Sequence, residues 1–165
     1  ALFEYVGDGC ELKGIDTSGT ITTVGQYAGG LVGVAQAAHN GTILIDSCSS
    51  IVEISYSNRT DSEAFYGGIV GCASAKIAVG SVSTAGKGSI NVKNCFYKGK
   101  ILKGESENKL KQGGIYGRTE ASWLTVEVEN CYVDADFYKA GGDDGYDIFV
   151  GSCENYGSSF NNVIN

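Results

Sequence analysis

Gly29-Gly30-Leu31-Val32-Gly33 recurs as Gly67-Gly68-Ile69-Val70-Gly71 and again as Gly113-Gly114-Ile115-Tyr116-Gly117. Asp147-Ile148-Phe149-Val150-Gly151 is a worn fourth copy. A second motif alternates with the first: Asp46-Ser47-Cys48, Lys93-Asn94-Cys95 and Glu129-Asn130-Cys131. Gly9-Cys10 stands in its place at the front, and Asn161-Asn162-Val163 at the end, with Val where Cys would be. Self-similarity of this kind is the signature of stacked like units, so it is read before any local propensity.

The spacing sets the expected unit. Cys10 to Gly29, Gly29 to Cys48 and Cys48 to Gly67 are each 19 residues. Gly67 to Cys95 is 28, which places an insertion in the Gly/Ser/Ala-rich stretch Ala78–Gly88, read as a protruding loop. Half-units this short, rich in Gly and β-branched residues, have the size of one coil of a β-solenoid. Alternation supports strands. Cys95, Tyr97, Gly99 and Ile101 share one phase, as do Cys131, Val133, Ala135 and Phe137, and Cys48, Ser50, Val52 and Ile54. The opposite phase carries Phe96, Lys98 and Lys100, then Tyr132, Asp134 and Asp136. That is the period-2 pattern of a half-buried strand. Ile90, Val92 and Asn94 alternate upstream, so the phase slips by one residue at Asn94-Cys95 and a bend or bulge belongs there. The first unit fits less well, with Ile15 and Asp16 swapped. No segment sustains a helical period.

Composition bounds the class. The chain has 165 residues, which predicts one domain over 1–165, with 25 Gly and no Pro or Met. Formal net charge is −7 with dispersed basic residues, which argues against nucleic acid and anionic membrane as partners. No apolar run reaches the ~18 residues of a membrane span, so no membrane insertion is expected. The six Cys are read as buried thiols rather than a disulfide framework. Cys10, Cys48, Cys95 and Cys131 are expected two coils apart, ~9.6 Å at ~4.8 Å per coil, too far to bridge. Cys72–Cys95 and Cys131–Cys153 remain as alternative bridges.

The alternation of Gly-Gly-hydrophobic-Val-Gly with a strand ending in Asn-Cys-Tyr/Phe resembles the GLUG-motif repeats of large bacterial surface proteins. Gly29–Gly33, Gly67–Gly71 and Gly113–Gly117 carry the resemblance, with Asn94-Cys95-Phe96 and Asn130-Cys131-Tyr132, across nearly the whole chain. The resemblance implies an extracellular, cell-surface solenoid segment of a longer chain, with flanking domains as its partners and no catalytic residues of its own. A metal-binding H-E-x-x-H is absent.

Candidate sites are few. Phe96 and Tyr132 follow the Cys on the outward face and are the candidate ligand-binding residues, expected two coils apart, where aromatics can stack on a glycan or a host protein. Tyr27 and the Phe65-Tyr66 pair are further candidates of that kind. Gly141–Phe149, including Asp147, looks like a calcium-binding turn, but with one residue too many and in one copy only. Asp134/Asp136 and Glu127/Glu129 form i, i+2 carboxylate pairs of the sort a glycan-cleaving β-helix enzyme uses, or a solvated strand face. His39 is read as a solvated loop residue, and Lys109-Leu110-Lys111 and Arg118 form no basic patch. The expectation is therefore an all-β, right-handed parallel β-helix of about four two-coil repeats, ~40 Å long. Its expected role is a non-catalytic spacer or adhesin stalk without cofactor or metal. The alternatives are a carbohydrate- or host-protein-binding module and, behind it, a glycan-cleaving enzyme.

Overall fold

The computed structural model describes residues 1–38, 40–56, 63–79, 82–85, 87–103, 109–120, 124–138, 145–153 and 157–161. These residues are all-β, with no helix among them. A first circuit of chain comprises β1 (Phe3–Val6), β2 (Glu11–Lys13), β3 (Asp16–Thr23) and β4 (Tyr27–Gly29). A second comprises β5 (Val32–Gln36), β6 (Thr42–Asp46), β7 (Ser49–Tyr56) and β8 (Ala64–Gly67). The third begins with β9 (Val70–Ser74), adds β10 (Lys76–Val79) and β11 (Val82–Ala85), and continues through β12 (Gly88–Lys93), β13 (Phe96–Lys103) and β14 (Leu110–Gly113). The fourth is β15 (Tyr116–Glu120), β16 (Leu124–Glu129), β17 (Tyr132–Phe137) and β18 (Gly145–Asp147). A fifth opens with β19 (Val150–Cys153) and β20 (Gly157–Asn161).

Corresponding strands stack into four parallel sheets, β1-β5-β9-β15-β19, β2-β6-β12-β16-β20, β3-β7-β13-β17 and β4-β8-β14-β18. The chain thus visits the sheets in the same order on every circuit, an arrangement consistent with a β-solenoid. Among the described strands, only β10 and β11 depart from it. They form an antiparallel hairpin, Lys76 opposite Ala85, inserted between the first and second sheets of the third circuit. The insertion expected within Ala78–Gly88 is this hairpin, which starts two residues earlier.

The register corrects the expected unit. Gly29 pairs directly with Gly67, and Gly67 with Gly113. Motif copies therefore lie on neighbouring strands, about 4.8 Å apart, and not two coils apart. One copy of each motif marks one circuit, or rung, with four strands and two motif-bearing corners. Four spacings along the five-stranded sheets amount to about 20 Å, half the length expected.

The register also reassigns the first unit. Lys13 pairs with Asp46 and Asp16 with Ser49. The first copy of the Asn-Cys corner is therefore Gly14-Ile15, and Cys10 lies instead in step with Ile43 of the second sheet. That is why Ile15 and Asp16 read as swapped. At the far end Glu129 pairs with Asn161; Asn162 and Val163 lie outside the described residues. The worn glycine copy is in register, Gly113 with Asp147 and Tyr116 with Val150.

The Gly-Gly segment is the corner from the fourth sheet into the first, and each glycine answers a different contact. A Cβ on Gly67 would collide with the Val70 carbonyl and sit 2.6 Å from the Gly117 amide nitrogen of the next rung. A Cβ on Gly68 would enter the Tyr97 ring across the interior, and one on Gly114 would lie 2.5 Å from Val133 Cγ1. The first glycine lets rungs approach; the second leaves room for the inward ladder Ser50, Tyr97, Val133 of the third sheet. Backbone bonds then lace the corners together: Ile69 N and Val70 N both donate to the Ile115 carbonyl, at 3.2 and 2.8 Å.

Between corners, inward positions form continuous stacks. Leu31, Ile69 and Ile115 are fully buried, as are Ile45, Val92 and Val128 in the second sheet. Truncating Ile69 to Ala is expected to cost ~2–5 kcal/mol as a core aliphatic deletion. Gly67→Ala forces backbone apart at a rung contact and is expected to cost at least the ~1–3 kcal/mol of an overpacked site. Urea denaturation of the two variants checks both; a loss under ~1 kcal/mol for either would contradict the corner geometry.

Candidate functional site

The second motif is the corner from the second sheet into the third. Gly14, Ser47, Asn94 and Asn130 occupy it with φ of 63°, 55°, 53° and 52°. A left-handed residue reverses the phase of alternation in a single step, and Asn and Gly tolerate that conformation best. The bend expected at Asn94-Cys95 is this residue. The polar side chains form a ladder along the stack. Asn94 Nδ2 donates to Asp46 Oδ1 at 2.8 Å, and Asn130 Nδ2 donates to Asn94 Oδ1 at 3.4 Å. The hydrogen bond from Asn94, then that from Ser47, holds the Asp46 carboxyl below its ordinary value.

The next residue turns inward. Cys48, Cys95 and Cys131 are buried free thiols. Each Sγ lies between two carbonyls: Cys95 donates toward Lys93 O at 3.1 Å and Ile45 O at 3.6 Å, and Cys131 toward Glu129 O at 3.4 Å and Val92 O at 3.5 Å. Phe96 pairs with both Ser49 and Tyr132, so the three cysteines are one rung apart rather than two. The neighbouring Cys131 thiol and burial push the Cys95 thiol well above its ordinary value. Cys72 is buried too, and because Cys95 and Cys131 are both free thiols, neither Cys72–Cys95 nor Cys131–Cys153 is bridged.

The residue after each Cys points outward, and here the candidate ligand-binding pair is found. Phe96 and Tyr132 face each other on adjacent strands, ring centroids 5.5 Å apart and planes 14° apart. They are stacked on one another, not separated by two coils. Phe96 is half-buried and Tyr132 is 42 % exposed. The stack runs from one rung to the next, so one face of each ring is occupied by its partner.

The carboxylate pairs beside it are answered by lysines one rung away. Lys98 meets Asp134 at 3.1 Å, Lys100 meets Asp136 at 3.8 Å, and Lys93 reaches Glu129 at 2.9 Å and Glu127 at 3.8 Å. A carboxylate held by a lysine on an open strand face favours strand register and discourages edge-to-edge aggregation. Tyr27, Phe65 and Tyr66 go different ways. Tyr66 is in the core and donates to the Gly25 carbonyl at 3.2 Å. Phe65 is buried, stacked on Tyr27 with centroids 5.8 Å apart. The Arg118 guanidinium lies 4.5 Å above the Phe65 ring and 3.6 Å from Glu120 Oε1. This aromatic–cation cluster joins residues more than fifty positions apart, and nothing in the local sequence announces it.

Among the described residues no three His, Cys, Asp or Glu side chains converge as a metal-binding set. His39 and the 141–144 part of the calcium-like turn lie outside the described residues. Comparison of the chain with family models, curated proteins and solved structures gives no match.

Two measurements follow from this geometry. Cys48, Cys95 and Cys131 are expected to resist a thiol reagent in the folded protein and to react fully after denaturation. Rapid labelling of any of the three in the native state, read by mass spectrometry, would contradict their placement. The second measurement concerns the buried tyrosines. Burial raises Tyr27 to about 12 and pushes Tyr97 and Tyr116 upward too. Folded values above the ordinary 10.0 mean that stability is intact below that pH and is lost as pH rises through the folded values. The urea midpoint should therefore hold up to about pH 10 and fall beyond it, with tyrosinate absorbance appearing together with unfolding. Tyr97→Phe should flatten that alkaline decline, because it removes one of the protons being lost.

Proposed function

We propose that the chain is an architectural segment, a right-handed parallel β-helix of the GLUG-repeat kind that serves as a stiff spacer or adhesin stalk on a bacterial cell surface. The observation that supports this reading best is the unbroken register through four sheets, with one glycine corner and one Asn/Ser corner per rung. An unbroken register makes a body whose rungs cannot slide, because a one-residue slip would turn every inward Ile and Val out to water. The body is stiff rather than long: some 38 residues, Gly29 to Gly67, advance the stack by about 4.8 Å. Its outer face carries paired charges, which favours solubility over association. In this reading flanking domains of the same chain are the partners, and no catalysis or cofactor is involved.

The exposed Tyr132 beside Phe96 favours a second reading, a carbohydrate- or host-protein-binding module. A glycan array followed by a polysaccharide turnover assay on the intact chain separates the readings. The spacer reading expects neither binding nor turnover. Binding that is lost in Phe96→Ala and Tyr132→Ala would replace it with the second reading, and turnover would replace both with an enzyme. Modularity gives an independent check. Deleting residues 30–67 joins Gly29 to Gly68 and removes one rung; the product should fold, with a long dimension shorter by about 4.8 Å in X-ray scattering.

A further inference from the structure

We propose that the thiols of Cys95 and Cys131 form an in-line site for one soft divalent cation of the kind that binds two thiolates, as mercuric ion does. Cys48, Cys95 and Cys131 are buried free thiols at the same bend of successive rungs. Their sulfurs repeat the same two contacts. Each faces the carbonyl two residues before it: Asp46 O at 3.3 Å, Lys93 O at 3.1 Å and Glu129 O at 3.4 Å. Each also faces a carbonyl of the preceding rung: Leu12 O at 3.6 Å, Ile45 O at 3.6 Å and Val92 O at 3.5 Å. Equal contacts mean that the rung translation carries one sulfur onto the next. The sulfurs therefore form a row spaced close to the ~4.8 Å between strands.

That spacing suits a particular chemistry. Two metal–thiolate bonds of ~2.3 Å laid end to end span ~4.6 Å, so an ion between two sulfurs leaves the rungs almost where they are. The donor set selects the ion. Calcium and magnesium need a shell of oxygens, and zinc needs four ligands. Among the described residues no three His, Cys, Asp or Glu side chains converge to supply such a shell. Two thiolates in line are the coordination of a soft d10 cation.

Charge then decides between the soft ions. Monovalent copper or silver between two thiolates leaves one net negative charge, in an apolar interior and facing carbonyl oxygens, which is strongly disfavoured. A divalent ion leaves none. Binding is an exchange without change of oxidation state: each thiol releases its proton and forms one bond to the ion. Cys95 and Cys131 are the pair suited to it because they are already in contact, the Cys95 thiol donating to Cys131 and pulling it below its ordinary value. Val92 O, on the rung of Cys95 and 3.5 Å from the Cys131 sulfur, borders the gap and favours positive charge there. The inference stands on the register and is independent of whether the stack acts as a spacer.

The bend is closed in the folded chain, so the ion is loaded as the rungs assemble. The test refolds the intact chain from urea with one equivalent of mercuric chloride and removes unbound ion by gel filtration. Retained mercury, ultraviolet absorption and the urea midpoint are then measured. The expected result is retention with unchanged circular dichroism, a sulfur-to-metal charge-transfer band, and a midpoint above that of the metal-free chain, because an ion held by the native state stabilises it. Cys95→Ala and Cys131→Ala are expected to lose the band and the gain in midpoint, and Cys48→Ala and Cys72→Ala to keep both. A midpoint lowered or unchanged by the ion would overturn the proposal, since the ion would then prefer the thiols of the unfolded chain. So would a Cys131→Ala chain that keeps the gain. The direction of the midpoint shift is read on the unsubstituted chain and so does not depend on any variant folding.

Discussion

Two backbones can lie one rung apart at the corner only because no side chain stands between them. The fourth sheet must turn into the first within two residues while its carbonyls still accept bonds from the rung before. A Cβ at the first glycine meets backbone on both sides of the turn, and one at the second meets the inward ladder of the third sheet. Everything else is placed by this close approach. It brings the Ser50, Tyr97, Val133 ladder near the corner and so sets the width of the interior. It also aligns equivalent residues vertically, so each inward Ile or Val packs on a like neighbour above and below. The inward Ile and Val of the inner rungs are fully buried because every rung covers the next.

The opposite corner solves a different problem. A strand of the second sheet and one of the third both face their apolar phase inward, so the chain must skip one step of alternation between them. One left-handed residue does this, and its amide side chain then bonds to the rung beside it. The polar ladder on the outside and the thiols on the inside are consequences of that single step. The Cys that follows in three of the rungs has carbonyl oxygens around its sulfur, toward which a thiol can donate weakly.

How much of this could be read in advance follows from which features are local. The phase of Cys95, Tyr97 and Ile101 is local, and alternation alone placed them inside with Phe96 outside. The number of strands per rung is not local. The two remaining corners, near Ala37-Ala38 and near Val24-Gly25, carry no repeated motif, so a half-unit with two short strands looked like one coil. The same gap misplaced Cys10: where Gly14 supplies the left-handed residue there is no Asn-Cys to recognise. At the candidate site, outward exposure of Phe96 and Tyr132 was legible, but their stacking depends on inter-strand register. The Arg118–Phe65 contact was illegible for the same reason, as it crosses between sheets.

The cysteines show how one conclusion can rest on the wrong distance and survive for another reason. At one rung apart, their Cα atoms fall within the ~7 Å that a disulfide tolerates, so separation no longer forbids a bridge. Direction does. In-register parallel strands carry equivalent Cβ atoms side by side at about the strand spacing of ~4.8 Å, whereas a disulfide needs its Cβ atoms at ~3.5–4.5 Å and turned toward one another. Closing Cys95 onto Cys131 would pinch two rungs together at the bend where Asn94 and Asn130 fix their spacing from outside. It would also withdraw both sulfurs from the carbonyls they now face. The polar ladder outside and the thiols inside are thus set by the same spacing, which leaves Cys95 and Cys131 in hydrogen-bonding contact and short of a covalent bond.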